Sequence, residues 1–268
     1  MSVTEPQTTV TPLAGSLGVR IDGIDLTADS SEALVGALRV ILDEHLVIHL
    51  PAQADLTPEQ QLAFAELWGE IAIHPYVPSI GGHPGIMQIA DPTELTTVWH
   101  QDVTHMGCPP SVSILVAREI PTSGGDTMWA NQYAAYEGLS PGLRDTLDGL
   151  YAVHEGTVRA DDAGLDHESV TSVHPVVATH DRTGRKALFV NANYTTRLDG
   201  WNADESAALL EHLFRAAVRN EYTCRHRWTV GDVLIWDNRA TQHCAVGDAA
   251  PGEPRILHRV TVAGDQPH

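Results

Sequence analysis

Two short segments far apart in the chain limit its fold more than any other feature: Trp99-His100-Gln101-Asp102 and Trp236-Asp237-Asn238-Arg239-Ala240-Thr241-Gln242-His243. Together they hold two imidazoles and a carboxylate, the donors of a 2-His-1-carboxylate facial triad. Such a triad grips a ferrous ion on one face and leaves three positions open. Residues two apart on a strand point to the same side, so His100 and Asp102 suit a strand end. The third donor, His243, must then arrive on a remote strand. A chain that uses these residues together has to fold distant strands face to face.

The rest of the sequence reads in the same sense. Leu17 to Leu26 predicts a strand and a turn. Leu34, Leu38, Ile41 and Leu42 give helical spacing over Ser30–Glu44. His45-Leu46-Val47-Ile48-His49-Leu50 is a short β-rich run ended by Pro51. Thr57-Pro58-Glu59-Gln60 starts a helix that runs to about Trp68, with Thr as N-cap, Pro at the first helical position and Gln to complete a capping box. Further strands are expected at Ser113–Ala117, from Thr127 to Trp129, and over Ala187–Val190, Tyr222–Trp228, Asp232–Trp236 and Arg255–Val262. Helices are expected over Ala134–Leu150, with a Ser140-Pro141 breaker, and over Ala203–Val218, capped by Asn202 or Asp204. Many short strands, Gly/Pro turns and few helices predict a mainly β chain with peripheral helices, a double-stranded β-helix of the jelly-roll, cupin-like kind. No repeat or linker divides it, so residues 1–268 form one expected domain, with about 1–12 frayed because they are polar and Thr/Pro-rich.

Composition bounds the partners. A formal charge of −19 argues against nucleic acid and anionic membranes, both of which call for clustered Lys and Arg. No apolar run approaches the roughly 20 residues of a membrane span, and no signal peptide is visible. Three cysteines, Cys108, Cys224 and Cys244, lack CxxC spacing and predict a reduced, cytoplasmic protein. A small anionic substrate stays compatible with the global charge, because local arginines can oppose it. Arg255 and Arg259 supply them: on a strand they share one face with Leu257 and Thr261. Buried there, they call for anions, which a planar guanidinium binds through paired hydrogen bonds. Structural salt bridges with Asp or Glu are the alternative.

Taken in order, these segments resemble the taurine dioxygenase (TauD/TfdA) family of Fe(II)/2-oxoglutarate oxygenases. The resemblance rests on Trp99–Thr104, Ser123-Gly124-Gly125-Asp126-Thr127, His174-Pro175-Val176-Val177, Trp236–His243 and Arg255–Arg259, and spans nearly the whole chain. It implies that His100, Asp102 and His243 ligate Fe(II), and that Arg255 and Thr127 hold the distal carboxylate of 2-oxoglutarate. It further implies that Arg259 and His74 grip the anionic end of the primary substrate, with Tyr76 and Tyr194 as pocket walls. The implied reaction consumes O2 and 2-oxoglutarate, yields succinate and carbon dioxide, and hydroxylates a C–H of a small anion: a sulfonate, sulfate ester, aryloxyalkanoate or other carboxylate. Gly156 replaces an aromatic pocket residue and the 157–173 segment is short, which speaks against taurine itself and for a roomier pocket. A homo-oligomer is a possible assembly. Two other readings remain open from the residues alone: a His2Asp zinc hydrolase and a non-catalytic jelly-roll binding protein.

Overall fold

The computed structural model describes residues 8–73, 79–90, 96–157, 169–250 and 252–268. In chain order its strands are β1 (Thr9–Pro12), β2 (Val19–Asp22), β3 (Val47–Leu50), β4 (Met87–Ile89), β5 (Val112–Glu119), β6 (Thr127–Asn131), β7 (Tyr151–Thr157), β8 (Ser169–Pro175), β9 (Val177–Thr179), β10 (Lys186–Leu188), β11 (Thr195–Leu198), β12 (Thr223–His226), β13 (Val233–Asp237), β14 (Thr241–Ala245) and β15 (Ile256–Val262). The helices are α1 (Glu32–His45), α2 (Pro58–Glu66), α3 (Gln132–Glu137), α4 (Pro141–Leu147) and α5 (Ala203–Ala217).

Side-chain alternation along the central strands decides how the layers stack. The large sheet runs β1-β2-β3-β13-β5-β15-β4, antiparallel except where β2 meets β3. One of its faces carries Ile48, Leu50, Ile114, Val116, Val233 and Ile235, and these pack under Val35, Leu38 and Leu42 of α1 and Phe64 of α2. The other face carries Val47, Leu115, Leu234, Trp236 and Leu257, which meet Trp129 and Cys224 of a second sheet, β12-β6-β14. Both faces of the central strands are therefore dry, and β13 reads as an unbroken buried run. Two sheets enclosing one core make the jelly roll. A third core holds α3 and α5 against the flanking strands, through Ala152, Leu188, Leu198, Leu210 and Leu213.

Capping chemistry sets the helix starts. The Thr57 side chain accepts from Gln60 N while Gln60 Oε1 accepts from Thr57 N, completing the expected box, and the helix closes at Glu66. Ser31 caps α1, which begins at Glu32, inside the span of helical spacing. The His45–Leu50 run is divided: His45 ends the helix and Leu46 turns the chain at φ 66° before the strand begins. The Ser140-Pro141 breaker yields two helices instead of an interrupted one, with Ser140 capping the second and Asn131 the first. The N-terminal expectation is corrected. Thr9–Pro12 is not frayed but pairs antiparallel with Val19–Asp22, because a sheet edge with open N–H and C=O groups satisfies even a polar strand. Strands β4, β7, β8, β9 and β11 were also unexpected; in β8 the two valines, Val170 and Val173, fall on opposite faces, so it shows no clean apolar alternation.

Candidate metal centre

His100 and His243 are direct cross-strand partners. Each backbone N–H donates to the other's carbonyl, at 3.0 and 2.8 Å, which sets the two imidazole centroids 4.2 Å apart. His243 lies on β14 opposite Trp129 of β6, its ring 4.9 Å from that of Trp236. The His100 Nδ1 faces the Val98 carbonyl at 2.9 Å. A carbonyl only accepts, so Nδ1 carries the proton and Nε2 keeps a free lone pair. Asp102 follows in a turn rather than on a strand proper. Its backbone N–H donates to Asn238 Oδ1 at 2.8 Å, and Asn238 Nδ2 reaches the Pro110 carbonyl at 3.0 Å. Ser113 Oγ donates to Asp102 Oδ2 at 3.0 Å.

The separations distinguish an ion site from a hydrogen-bonded cluster. Asp102 Oδ1 lies 3.7 Å from the Nε2 of both His100 and His243, too far for hydrogen bonds. Donors sharing one ion at about 2.1 Å stand roughly 3–3.6 Å apart, close to what is seen. His243 Nδ1 is buried and has no hydrogen-bond partner among the described residues. A second His2Asp cluster, His49, His226 and Asp232, is equally buried. There the imidazoles meet the carboxylate at 2.8 and 3.0 Å, so proton sharing satisfies it. The residues of the first cluster fit a metal; those of the second brace one another. Burial alone would raise the Asp102 carboxyl, but Arg259 and the two imidazoles hold it well below the usual range, so it is anionic and ready to ligate.

Arg259 is held differently from the expectation. Its Nη1 donates to Asp102 Oδ1 at 2.9 Å, while its buried Nε has no partner among the described residues. Arg255 sits beside Thr127 as expected: Nη2 donates to Thr127 Oγ1 at 3.3 Å and Nε to the Gly125 carbonyl at 2.7 Å. No carboxylate among the described residues pairs with Arg255, since Asp126 is engaged by Arg225 at 2.6 Å. Burial lowers the Arg255 pKa to about 10, a cation held out of water without its counter-ion. The turn that places it depends on Gly124, at φ +72°, where a Cβ would lie 2.0 Å from the Asp248 carbonyl; no L side chain fits there.

Tyr194 reaches the centre, with its ring 6.4 Å from His100 and burial pushing its hydroxyl pKa up to about 12. His74 and Tyr76 lie outside the described residues. The space at Gly156 is not left open. The ring of His105 fills it, so that a Cβ there would stand 2.4 Å from His105 Cγ, and His105 stacks 5.0 Å from Tyr194. His105, Ser113 and Asn238 were not singled out from the sequence. Asn238 lay inside a quoted motif, whereas Ser113 was one polar residue in an apolar strand and gave no signal.

Comparison with known proteins places the chain among dioxygenases. The family model described as taurine catabolism dioxygenase TauD, TfdA family, matches residues 9–261. An alpha-ketoglutarate-dependent sulfate ester dioxygenase of Pseudomonas putida is 40% identical, over 96% of this chain and 90% of that one. An alkylsulfatase of Acinetobacter baylyi is 35% identical, over 94% and 84%. A crystal structure of a taurine dioxygenase from Burkholderia xenovorans superposes with a TM-score of 0.86 at 37% identity, covering 98% of this chain and 91% of that one. A family model matching residues 9–261 and a relative 40% identical along almost the entire length lead to one conclusion: the chain belongs to the TauD/TfdA family of dioxygenases.

Proposed function

We propose that the chain is an Fe(II)- and 2-oxoglutarate-dependent oxygenase that hydroxylates the carbon bearing the sulfur-linked group of a small organic anion, with alkyl sulfate esters as the first candidates. The observation that carries the reading is Arg255, a buried guanidinium with no acid partner among the described residues, beside Thr127 of β6, the strand paired with the β14 that carries His243 of the converged His100, Asp102 and His243. The sulfate ester choice is supported by the two relatives named for sulfate esters and alkyl sulfates. When bound, iron and 2-oxoglutarate supply the activation of dioxygen, with succinate and carbon dioxide as co-products.

The chain's own residues do the rest. His100, Asp102 and His243 would hold the iron, with Ser113, Asn238 and the Val98 carbonyl fixing the ligands' orientation. Arg255 and Thr127 would receive the distal carboxylate. Arg259 stays beside the centre, where its unpartnered Nε can meet the substrate's anionic group. Tyr194 and His105 would wall the pocket. A hydroxyl installed on the carbon attached to the sulfate oxygen gives a hemiacetal-like product. Its C–O bond breaks, the hydroxyl proton leaves, and an aldehyde and sulfate result.

A zinc hydrolase would leave Arg255 and Thr127 without a role. The test is anaerobic addition of Fe(II) and 2-oxoglutarate, read by charge-transfer absorption, followed by succinate and sulfate analysis in air across alkyl sulfates, sulfonates and aryloxyalkanoates. Sulfate-dependent turnover with one succinate per sulfate released supports the proposal. No absorption and no succinate with any anion overturns it, zinc-supported hydrolysis without oxygen favours the hydrolase, and binding without oxygen uptake favours a non-catalytic protein.

A further inference from the structure

Thr127 Oγ1 is 5% exposed as a residue and accepts two hydrogen bonds, from Trp228 Nε1 at 3.0 Å and from Arg255 Nη2 at 3.3 Å. An indole N–H and a guanidinium can only donate. A hydroxyl has two lone pairs and one proton, so both acceptor positions are taken and only donation remains. Among the described residues no acceptor lies on that proton. We propose that Trp228 is a positioning residue of the cosubstrate clamp: by filling one lone pair of Thr127 it fixes the hydroxyl as a donor, and so makes the clamp selective for a carboxylate over a carboxamide. This rests on the oxygenase reading and adds a determinant of cosubstrate choice to it.

The indole is held for the task. Trp228 is buried in the core between the two sheets, and His226 stands edge-on to it with ring centroids 5.1 Å apart. The His226 ring meets Asp232 Oδ2 at 3.0 Å, and His49 meets Oδ1 at 2.8 Å. Thr229 N also donates to Asp232 Oδ2, at 2.7 Å, and Asp232 N returns to the Thr229 carbonyl at 3.0 Å. The second His2Asp cluster thus closes the 227–232 turn that carries Trp228 and ties it to β3. Arg255 and Thr127 then present donors only. A carboxylate accepts from both, whereas a carboxamide turns one N–H donor toward them and leaves hydrogen bonds unmade.

The experiment titrates Fe(II)-loaded protein, without oxygen, with 2-oxoglutarate and with its distal carboxamide, 2-oxoglutaramate, by calorimetry. The variants are Trp228→Phe, Thr127→Val and the double variant. Trp228→Phe is expected to weaken 2-oxoglutarate roughly five- to twentyfold and to narrow the carboxylate-over-carboxamide ratio. The double variant is expected to match Thr127→Val alone, because one residue acts through the other. Calorimetric stoichiometry separates unfolded protein from weak binding. Replacing Trp228 by its benzothiophene isostere, sulfur in place of the N–H, repeats the test with the ring volume kept. Unchanged affinity and ratio in the isostere, or Trp228 and Thr127 effects that multiply, overturns the proposal. Wild-type protein that binds no 2-oxoglutarate overturns the oxygenase reading instead, so the two failures are distinct.

Discussion

At the scale of single residues, the proposed metal centre is a set of donors whose orientation is fixed by neighbours that would not themselves touch the ion. Asn238 does most of this for Asp102: one side chain accepts from the Asp102 N–H and donates to the Pro110 carbonyl, all of it buried. Asn238→Ala is expected to weaken iron binding about 10–100-fold, the usual cost of removing an outer partner, and to lower stability by about 1–3 kcal/mol through the orphaned groups. Iron titration and urea unfolding check the two effects. Gly156 makes a different prediction. In Gly156→Ala the new Cβ, 2.4 Å from His105 Cγ, must push the imidazole away from Tyr194. The primary substrate's KM should change several-fold while 2-oxoglutarate affinity stays within twofold. Equal changes in both would show that the His105 position does not shape the substrate pocket.

At the scale of elements, what was legible in the sequence is what local chemistry alone decides. The α2 capping box could be read because Thr57, Pro58 and Gln60 specify a helix start without reference to the rest of the chain. Thr57→Ala should cost about 1 kcal/mol in chemical denaturation and leave 2-oxoglutarate binding unchanged. The central strands were legible from their apolar runs, and the convergence of His100, Asp102 and His243 from their motifs. Strands β7 and β8 were not, because their pairing partner and not their own pattern makes them strands. The pairing of Arg259 with Asp102 was equally hidden. Alternation put Arg259 on the same face as Arg255, but which anion it meets depends on how a turn from another part of the chain is folded over β15. The Ser123-Gly124-Gly125-Asp126 turn joins the two kinds of information. Its glycines were visible, but their need was not until Asp248 proved to run against Gly124. Gly124→Ala should therefore displace the turn behind Arg255 and raise the 2-oxoglutarate KM, with stopped-time succinate assays as the check.

At the scale of the whole molecule, the fold carries several imidazoles in its interior in neutral form, and this ties stability to pH. His154 of β7 is fully buried. Its Nδ1 meets Thr104 Oγ1 at 2.9 Å and its Nε2 has no partner among the described residues. Facing it are His174 of β8, with ring centroids 5.2 Å apart, the Phe189 ring, Thr195 Oγ1, and His105; the Arg239 guanidinium lies over Phe189. Burial, and then the neighbouring imidazoles, lower the His154 pKa from the ordinary 6.5 to about 3. The unfolded chain therefore takes up a proton near pH 6.5 that the folded chain refuses until about pH 3. Stability from this group is complete above pH 6.5 and erodes as the pH falls through that window, at roughly 1.4 kcal/mol per unit for one proton. Burial also holds His174 and His243 below the ordinary imidazole value in the fold, so the total slope belongs to no single residue. The difference between the wild type and His154→Gln isolates it, because the metal ligands contribute equally to both. Urea midpoints of the metal-free proteins from pH 8 to pH 5 should show the variant less stable at pH 8 but with a shallower decline in acid. Parallel curves would mean that His154 takes up its proton as readily in the folded chain as in the unfolded one.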